Sequence, residues 1–188
     1  MNNEGCDIVN KIRANFKKAE ITKCREEGCI LKLDKLGIFI ALKGENLIKD
    51  SRFQGLLSEL IKSQGDNPKI CDCIIFKENG DVIIGLIELK SQKPDASSAK
   101  EQLEKGSKVA VEVLEIIIGK YPKFDLFPII LAKSWSRSQS KGIYSEIDVR
   151  GKKYDIIHKD CGDSFYEIIE KEKKERERVL LKKQKKRR

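Results

Sequence analysis

Three ionisable residues stand where the sequence otherwise reads as buried strand: Asp72, Glu88 and Lys90. Glu88-Leu89-Lys90 closes a run that is apolar elsewhere, through Val82, Ile83, Ile84, Leu86 and Ile87. Residues two apart in a strand share a face, so Glu88 and Lys90 point the same way. Two charges at the end of a buried strand cost desolvation unless something compensates. Asp72 begins the preceding β-rich run, so two carboxylates and an ammonium can converge at one edge of a sheet. Hard oxygen ligands of this kind suit Mg²⁺ or Mn²⁺, which keep waters and accept a phosphate oxygen. Such an ion acidifies a bound water and stabilises charge on the phosphate, while the lysine orients or stabilises the attacking hydroxide.

The elements that must position these groups can be read from pattern. Ile70–Phe76 and Val82–Lys90 flank Glu78-Asn79-Gly80-Asp81, which is hairpin chemistry. Loop length then decides which face Asp72 takes. A two-residue Asn79-Gly80 turn sets Asp72 opposite Ile87 and points it away from Glu88. A three-residue loop Glu78–Gly80, with Gly80 left-handed in a G1 bulge, sets Asp72 opposite Leu86 and on the face of Glu88. A shared site therefore requires this loop or another of odd length.

A helical stripe over Ile8, Ile12 and Phe16 predicts a first helix within Asp7–Glu20. Cys29–Leu33 and Gly37–Leu42 read as two short strands joined by a turn near Lys35–Gly37. Phe53, Leu56, Leu57, Leu60 and Ile61 predict a second helix that stops at Gly65-Asp66-Asn67-Pro68. Ala96–Gly119 carries a long stripe from Ala99 to Ile117, and Phe127–Ala132 reads as a strand covered on both faces. A second hairpin is expected over Ile143–Val149 and Lys153–His158, followed by a helix from about Asp163 into a basic tail. This order implies one α/β sandwich around a mixed sheet.

Asp72…Glu88-Leu89-Lys90 resembles the D…ExK signature of the PD-(D/E)XK nuclease superfamily, over about residues 50 to 132. The resemblance implies a restriction-endonuclease-like three-layer α/β core, a central mixed β-sheet flanked by helices. It implies a Mg²⁺- or Mn²⁺-dependent nuclease hydrolysing phosphodiester bonds, with DNA preferred over RNA as partner. Asp72, Glu88 and the backbone carbonyl of Leu89 would ligate the metal, and Lys90 would assist the nucleophile. Gln102, in the following helix, matches a glutamine that many members carry, and would position water or phosphate. Cys71 stands where a proline is common. For an acidic residue in the first core helix Glu59 is the preferred candidate, with Glu4, Asp7 and Glu45 as alternatives.

Composition bounds the rest. The 188 residues carry a net charge of +9, of which residues 170–188 hold +7 and the other 169 only +2. The domain, residues 1–169, is nearly balanced, and the basic pull sits in a helical or disordered tail that favours polyanions. Lys182, Lys183, Lys185, Lys186, Arg187 and Arg188 are its candidate nucleic-acid contacts. Lys133, Trp135, Arg137 and Lys141 form a second basic segment, with a tryptophan able to stack on a base or to anchor the loop. No apolar run is long enough to cross a bilayer and no signal peptide precedes the first helix, so a cytoplasmic location with no membrane partner is expected. The six cysteines lack structural-zinc spacing and are expected as reduced thiols, with Cys71-Asp72-Cys73 read as a strand presenting both cysteines on one face. One histidine, and no Gly-x-Ser-x-Gly or Walker-type loop, leave histidine-rich metal hydrolases, serine hydrolases and P-loop ATPases without support. A homodimer or larger assembly is compatible with the pattern. The alternatives to a nuclease are a non-catalytic nucleic-acid-binding protein on the same fold, and a structural protein whose tail engages an acidic partner.

Overall fold

The computed structural model describes residues 7–53, 55, 69–92, 94–119, 122–135 and 146–185. Its centre is a six-stranded mixed sheet in the order β1-β4-β5-β6-β7-β10. The strands are β1 (Glu20–Ile21), β4 (Phe39–Lys43), β5 (Cys73–Asn79), β6 (Asp81–Lys90), β7 (Phe124–Ala132) and β10 (Ile157–Asp160). β1, β4, β5 and β6 run antiparallel to their neighbours; β6, β7 and β10 are parallel. Two small hairpins stand apart from the sheet, β2–β3 (Cys24–Glu26, Cys29–Leu31) and β8–β9 (Glu146–Val149, Lys152–Asp155).

Four helices complete the described fold: α1 (Ile8–Phe16), the single turn α2 (Gly44–Leu47), α3 (Ala96–Ile118) and α4 (Phe165–Lys185). α3 is the crossover that two parallel strands require between β6 and β7. Asp95 caps it, its side chain accepting the N–H groups of Ser97 and Ser98. Strand alternation sorts the core into two layers. Val82, Ile84 and Leu86 of β6 face α1, α3 and β8–β9. Ile83, Ile87 and Leu89 face α4 and β2–β3. No helix among the described residues is long and apolar enough to cross a membrane.

Several elements differ from the sequence expectation. Cys29–Leu31 does not pair with the following strand: β3 pairs with β2, and β4 joins β1 and β5. Lys153–His158 is two strands, since β9 ends at Asp155 and His158 belongs to β10, paired with Ile130 of β7. The helix expected over 53–61 lies outside the described residues except Phe53, which is buried, and Gly55, which is helical and exposed. The tail is continuous with the domain, because α4 is one helix from Phe165 through Lys185.

The cysteines depart furthest. Reduced thiols were expected, but Cys24 is bonded to Cys73 and Cys29 to Cys161, with Cα atoms 6.1 and 5.1 Å apart. Both partners of one small hairpin are therefore tied to the main sheet. Cys71 and Cys73 also do not share a face: Cys71 packs in the α3 layer and Cys73 in the opposite one. The chain bends at Asp72, before β5 starts.

That bend depends on a close approach. The Cys71 N–H donates to the Gln102 carbonyl of α3 at 3.1 Å. A Cβ on Gly106, one turn along, would lie 2.2 Å from the Cys71 sulfur. Gly106→Ala is thus expected to destabilise the protein by about 1–3 kcal/mol through overpacking, measured by urea denaturation. Cys71→Ala in the same chain removes the sulfur and should recover most of the loss. If the double variant is no more stable than Gly106→Ala alone, the contact is not what fixes the bend.

Candidate active site

β5 and β6 are in register from Cys73 opposite Ile87 to Asn79 opposite Asp81, with Gly80 at the tip. Gly80 has φ of +78°, the left-handed region that glycine enters without a Cβ clash. The loop is odd in length, as a shared site requires. Its register is shifted by two residues from the expected one: the ladder ends at Cys73 opposite Ile87, and Asp72 lies in the bend just beyond it. Asp72 and Glu88 line one cleft.

Around this pair the sequence-predicted residues converge. Asp72 Oδ2 accepts the Leu89 backbone N–H at 2.7 Å. In an antiparallel ladder a residue's N–H and C=O leave by the same edge, so the Leu89 carbonyl is directed to the Asp72 side as well. Lys90 Nζ lies 2.5 Å from Glu88 Oε1 and donates to Gln102 Oε1 at 3.2 Å. Gln102 is only 9% exposed, so its amide is held by packing on α3 as well as by this bond.

Glu88 is the most unusual group. Its residue is 1% exposed, one oxygen is paired with Lys90, and Oε2 is buried with no hydrogen-bond partner. Burial, first, and the Asp72 charge, second, push its pKa up to about 8, against the pull of the Lys90 ammonium. Asp72 is raised to about 6, chiefly by burial; the Leu89 N–H opposes this, and the Glu26 charge adds to it. Buried carboxylates are normally satisfied by donors. A carboxylate oxygen orphaned beside a second raised carboxyl fits a cation's place.

These groups open into a cleft of about 900 Å³. Asp72, Glu88, Leu89, Lys90 and Gln102 form its floor. One rim carries Lys43, Glu45, Lys49 and Lys69, and the other carries Glu26, Glu27, Ser91 and Gln92. Sequence reasoning passed over these rims. Glu26 and Glu27 arrive on the disulfide-tied β2–β3 hairpin, where Glu27 accepts from the Ser91 hydroxyl at 2.6 Å. Glu45, a lesser candidate for the additional acid, lines the cleft from α2 and pairs with Lys43 at 2.7 Å. Asp7 pairs with Lys11 at the first turn of α1; Glu59 and Glu4 lie outside the described residues. Among the described residues no group of three or more His, Cys, Asp or Glu side chains gathers as a metal site.

The expected nucleic-acid contacts are not part of this cleft. Lys133 reaches the Glu27 carbonyl at 3.4 Å, and the Trp135 ring stacks on His158 with centroids 4.9 Å apart. Trp135 thus anchors its segment on β10. Arg137 and Lys141, and Lys186 to Arg188, lie outside the described residues. Lys182, Lys183 and Lys185 are in α4, whose first turns pack on the opposite sheet face from Glu88 through Phe165, Ile168 and Ile169.

No protein-family model, curated protein or solved structure matches this chain. The class is a mixed α/β protein whose six-stranded sheet carries a buried Glu88, a half-buried Asp72 and a lysine at one end.

Proposed function

We propose that the chain is a metal-dependent nuclease of the restriction-endonuclease-like PD-(D/E)XK kind, with DNA preferred over RNA as substrate. The observation that carries the reading is Glu88: a fully buried carboxylate with one unpartnered oxygen, lining one cleft with Asp72 and a hydrogen-bonded Lys90–Gln102 pair. Structural charge pairs do not leave a buried acceptor empty at the floor of an open cleft. A cation-binding pair does.

Asp72, Glu88 and the Leu89 carbonyl would hold a Mg²⁺ or Mn²⁺ ion, a donor set that suits an ion completing its shell with water and phosphate. Once bound, the ion supplies Lewis acidity at the phosphate and lowers the pKa of water. The chain's own groups do the positioning. Gln102 fixes the Lys90 ammonium from one side and Glu88 from the other. Lys90 can then donate to an attacking oxygen or to a non-bridging phosphate oxygen without first being ordered. The Leu89 N–H holds the Asp72 carboxylate so that its second oxygen is left to the ion.

Cleavage of a mixed panel of DNA and RNA with Mg²⁺ or Mn²⁺ tests this directly. Asp72→Asn and Lys90→Ala are each expected to lower the rate by about 10²–10⁴-fold while binding of the substrate is retained. Cleavage unchanged in both variants would remove the site assignment. Binding without cleavage by the wild-type chain would favour a nucleic-acid-binding protein on this fold.

A further inference from the structure

The floor of the cleft repels the substrate proposed for it. Asp72, Glu88 and Lys90 together carry a formal −1 when both carboxyls are ionised, a divalent cation brings the floor only to +1, and a phosphodiester backbone is a polyanion. Something else must hold the phosphates on either side of the reacting one. The basic tail is badly placed to do so. α4 packs through Phe165, Ile168 and Ile169 on the sheet face opposite to Glu88. Its last contacts with the sheet are made by Arg176, which donates to the Leu126 carbonyl and lies over the Phe127 ring. Leu126 is six residues from Ala132, the β7 residue beside Lys90, which is roughly 20 Å of strand. No described residue of α4 lines the cleft.

The two rims differ in sign. Glu26 and Glu27 make the β2–β3 rim acidic, and its contacts to Ser91 and Lys133 are already made. The other rim presents three lysines from two stretches of chain: Lys43 at the end of β4, Lys49 after α2, and Lys69 before Ile70. Lys49 and Lys69 are exposed. Lys43 is paired with Glu45, but both side chains are largely solvated, and an exposed pair of that kind is worth about 1 kcal/mol or less. Exchange of Glu45 for a phosphate is therefore inexpensive. Gly44, the residue after Lys43, donates its N–H to the Asp72 carbonyl at 3.0 Å, which places Lys43 beside the site.

Resting on the nuclease reading, we infer that Lys43, Lys49 and Lys69 form the backbone-binding subsite of the cleft, holding phosphates that flank the scissile one. The strand follows the α2 rim and is kept off the β2–β3 rim by Glu26 and Glu27.

The test uses the full-length chain carrying Glu88→Gln, so that binding is read without turnover. A fluorescent 12-nucleotide single strand and the corresponding duplex are titrated by anisotropy between 50 and 200 mM KCl. Each phosphate contact contributes about 0.7–0.9 to the slope of log K against log salt. Lys43→Ala, Lys49→Ala and Lys69→Ala together should reduce that slope by about 2 and weaken binding about 10-fold or more at the lower salt. A control triple, Lys11→Ala, Lys123→Ala and Lys153→Ala, changes net charge equally away from the cleft and should move the slope by less than half as much. Equal effects of the two triples, an unchanged slope, or no binding by the parent chain would overturn the subsite. Cleavage by the unmutated chain is scored separately. Rim-dependent binding without cleavage removes the nuclease reading and leaves the subsite; cleavage with rim-independent binding does the reverse.

Discussion

Glu88→Gln is expected to abolish cleavage and, in the absence of a divalent ion, to make the protein more stable at pH 8. The first half follows from the loss of a ligand: a neutral amide replaces the carboxylate at the orphaned buried oxygen, and a fall of about 10³-fold or more corresponds to about 4 kcal/mol of barrier. The second half follows from linkage. Glu88 is raised from 4.5 to about 8 in the fold. Below about pH 4.5 it is protonated in folded and unfolded chains alike and contributes nothing. As pH rises from 4.5 to 8 the unfolded chain ionises first and the folded chain resists, so stability is lost across that window. The full loss is on the order of 4 kcal/mol, and Asp72, raised to about 6, shares in it. Glutamine has no proton to lose. Urea denaturation in EDTA at pH 5 and pH 8 should therefore show wild type weakening between the two, and Glu88→Gln weakening by several kcal/mol less. Mg²⁺ or Mn²⁺ at pH 8 should restore the wild type alone, since an ion that binds only the folded state stabilises it by mass action. A variant that loses as much stability as wild type would show that Glu88 ionises freely, and the cation's place would be empty of argument.

The parts of this site that were legible in the sequence are those fixed by local period. Val82–Lys90 had to be a covered strand because nothing but Glu88 and Lys90 breaks its apolar run, and Ala96–Gly119 had to be a helix because its stripe holds for six turns. Loop parity gave only the condition for a shared face of Asp72 and Glu88, an odd-length loop, and turn chemistry alone allowed an even one as well. The register itself was not legible, because Asn79 and Asp81 pair across Gly80 where the turn chemistry alone allowed the strands to close earlier. β10 was absorbed into the preceding strand because no glycine or proline marks the break at Ile156. The acidic rim was invisible for a different reason. Its hairpin has three-residue strands, too short for a period, and is placed by cysteine pairs 49 and 132 residues apart in sequence. Connectivity of that kind cannot be deduced from spacing.

Those disulfides carry the second large effect. Closing chain lengths of 49 and 132 residues corresponds, on chain entropy alone, to about 4 and about 5 kcal/mol. The loops overlap, so the two figures do not add. Removal of Cys29–Cys161 as a Cys29→Ala, Cys161→Ala double variant is expected to cost about 2–5 kcal/mol in urea denaturation. Cys24→Ala with Cys73→Ala should cost a similar amount and have a consequence the other pair lacks. Cys73 follows Asp72 directly, and Cys24 carries the hairpin that bears Glu26. Cys29–Cys161 still ties β3 in that variant, so only β2 is loosened; this weakens the hold of Glu26 near Asp72, whose pKa Glu26 helps to raise. The Asp72 carboxyl should then titrate at lower pH by NMR, while it stays in place in the Cys29/Cys161 variant, where the Cys24–Cys73 bond still holds. Alkylation of the unreduced protein in denaturant should label Cys71, the unpaired buried thiol among the described residues, and leave the four bonded cysteines untouched. Labelling of all of them would return the chain to the reduced state that its composition first suggested. Disulfides are rare where glutathione and thioredoxin keep thiols reduced, so that same measurement also decides whether a reducing compartment suits this fold.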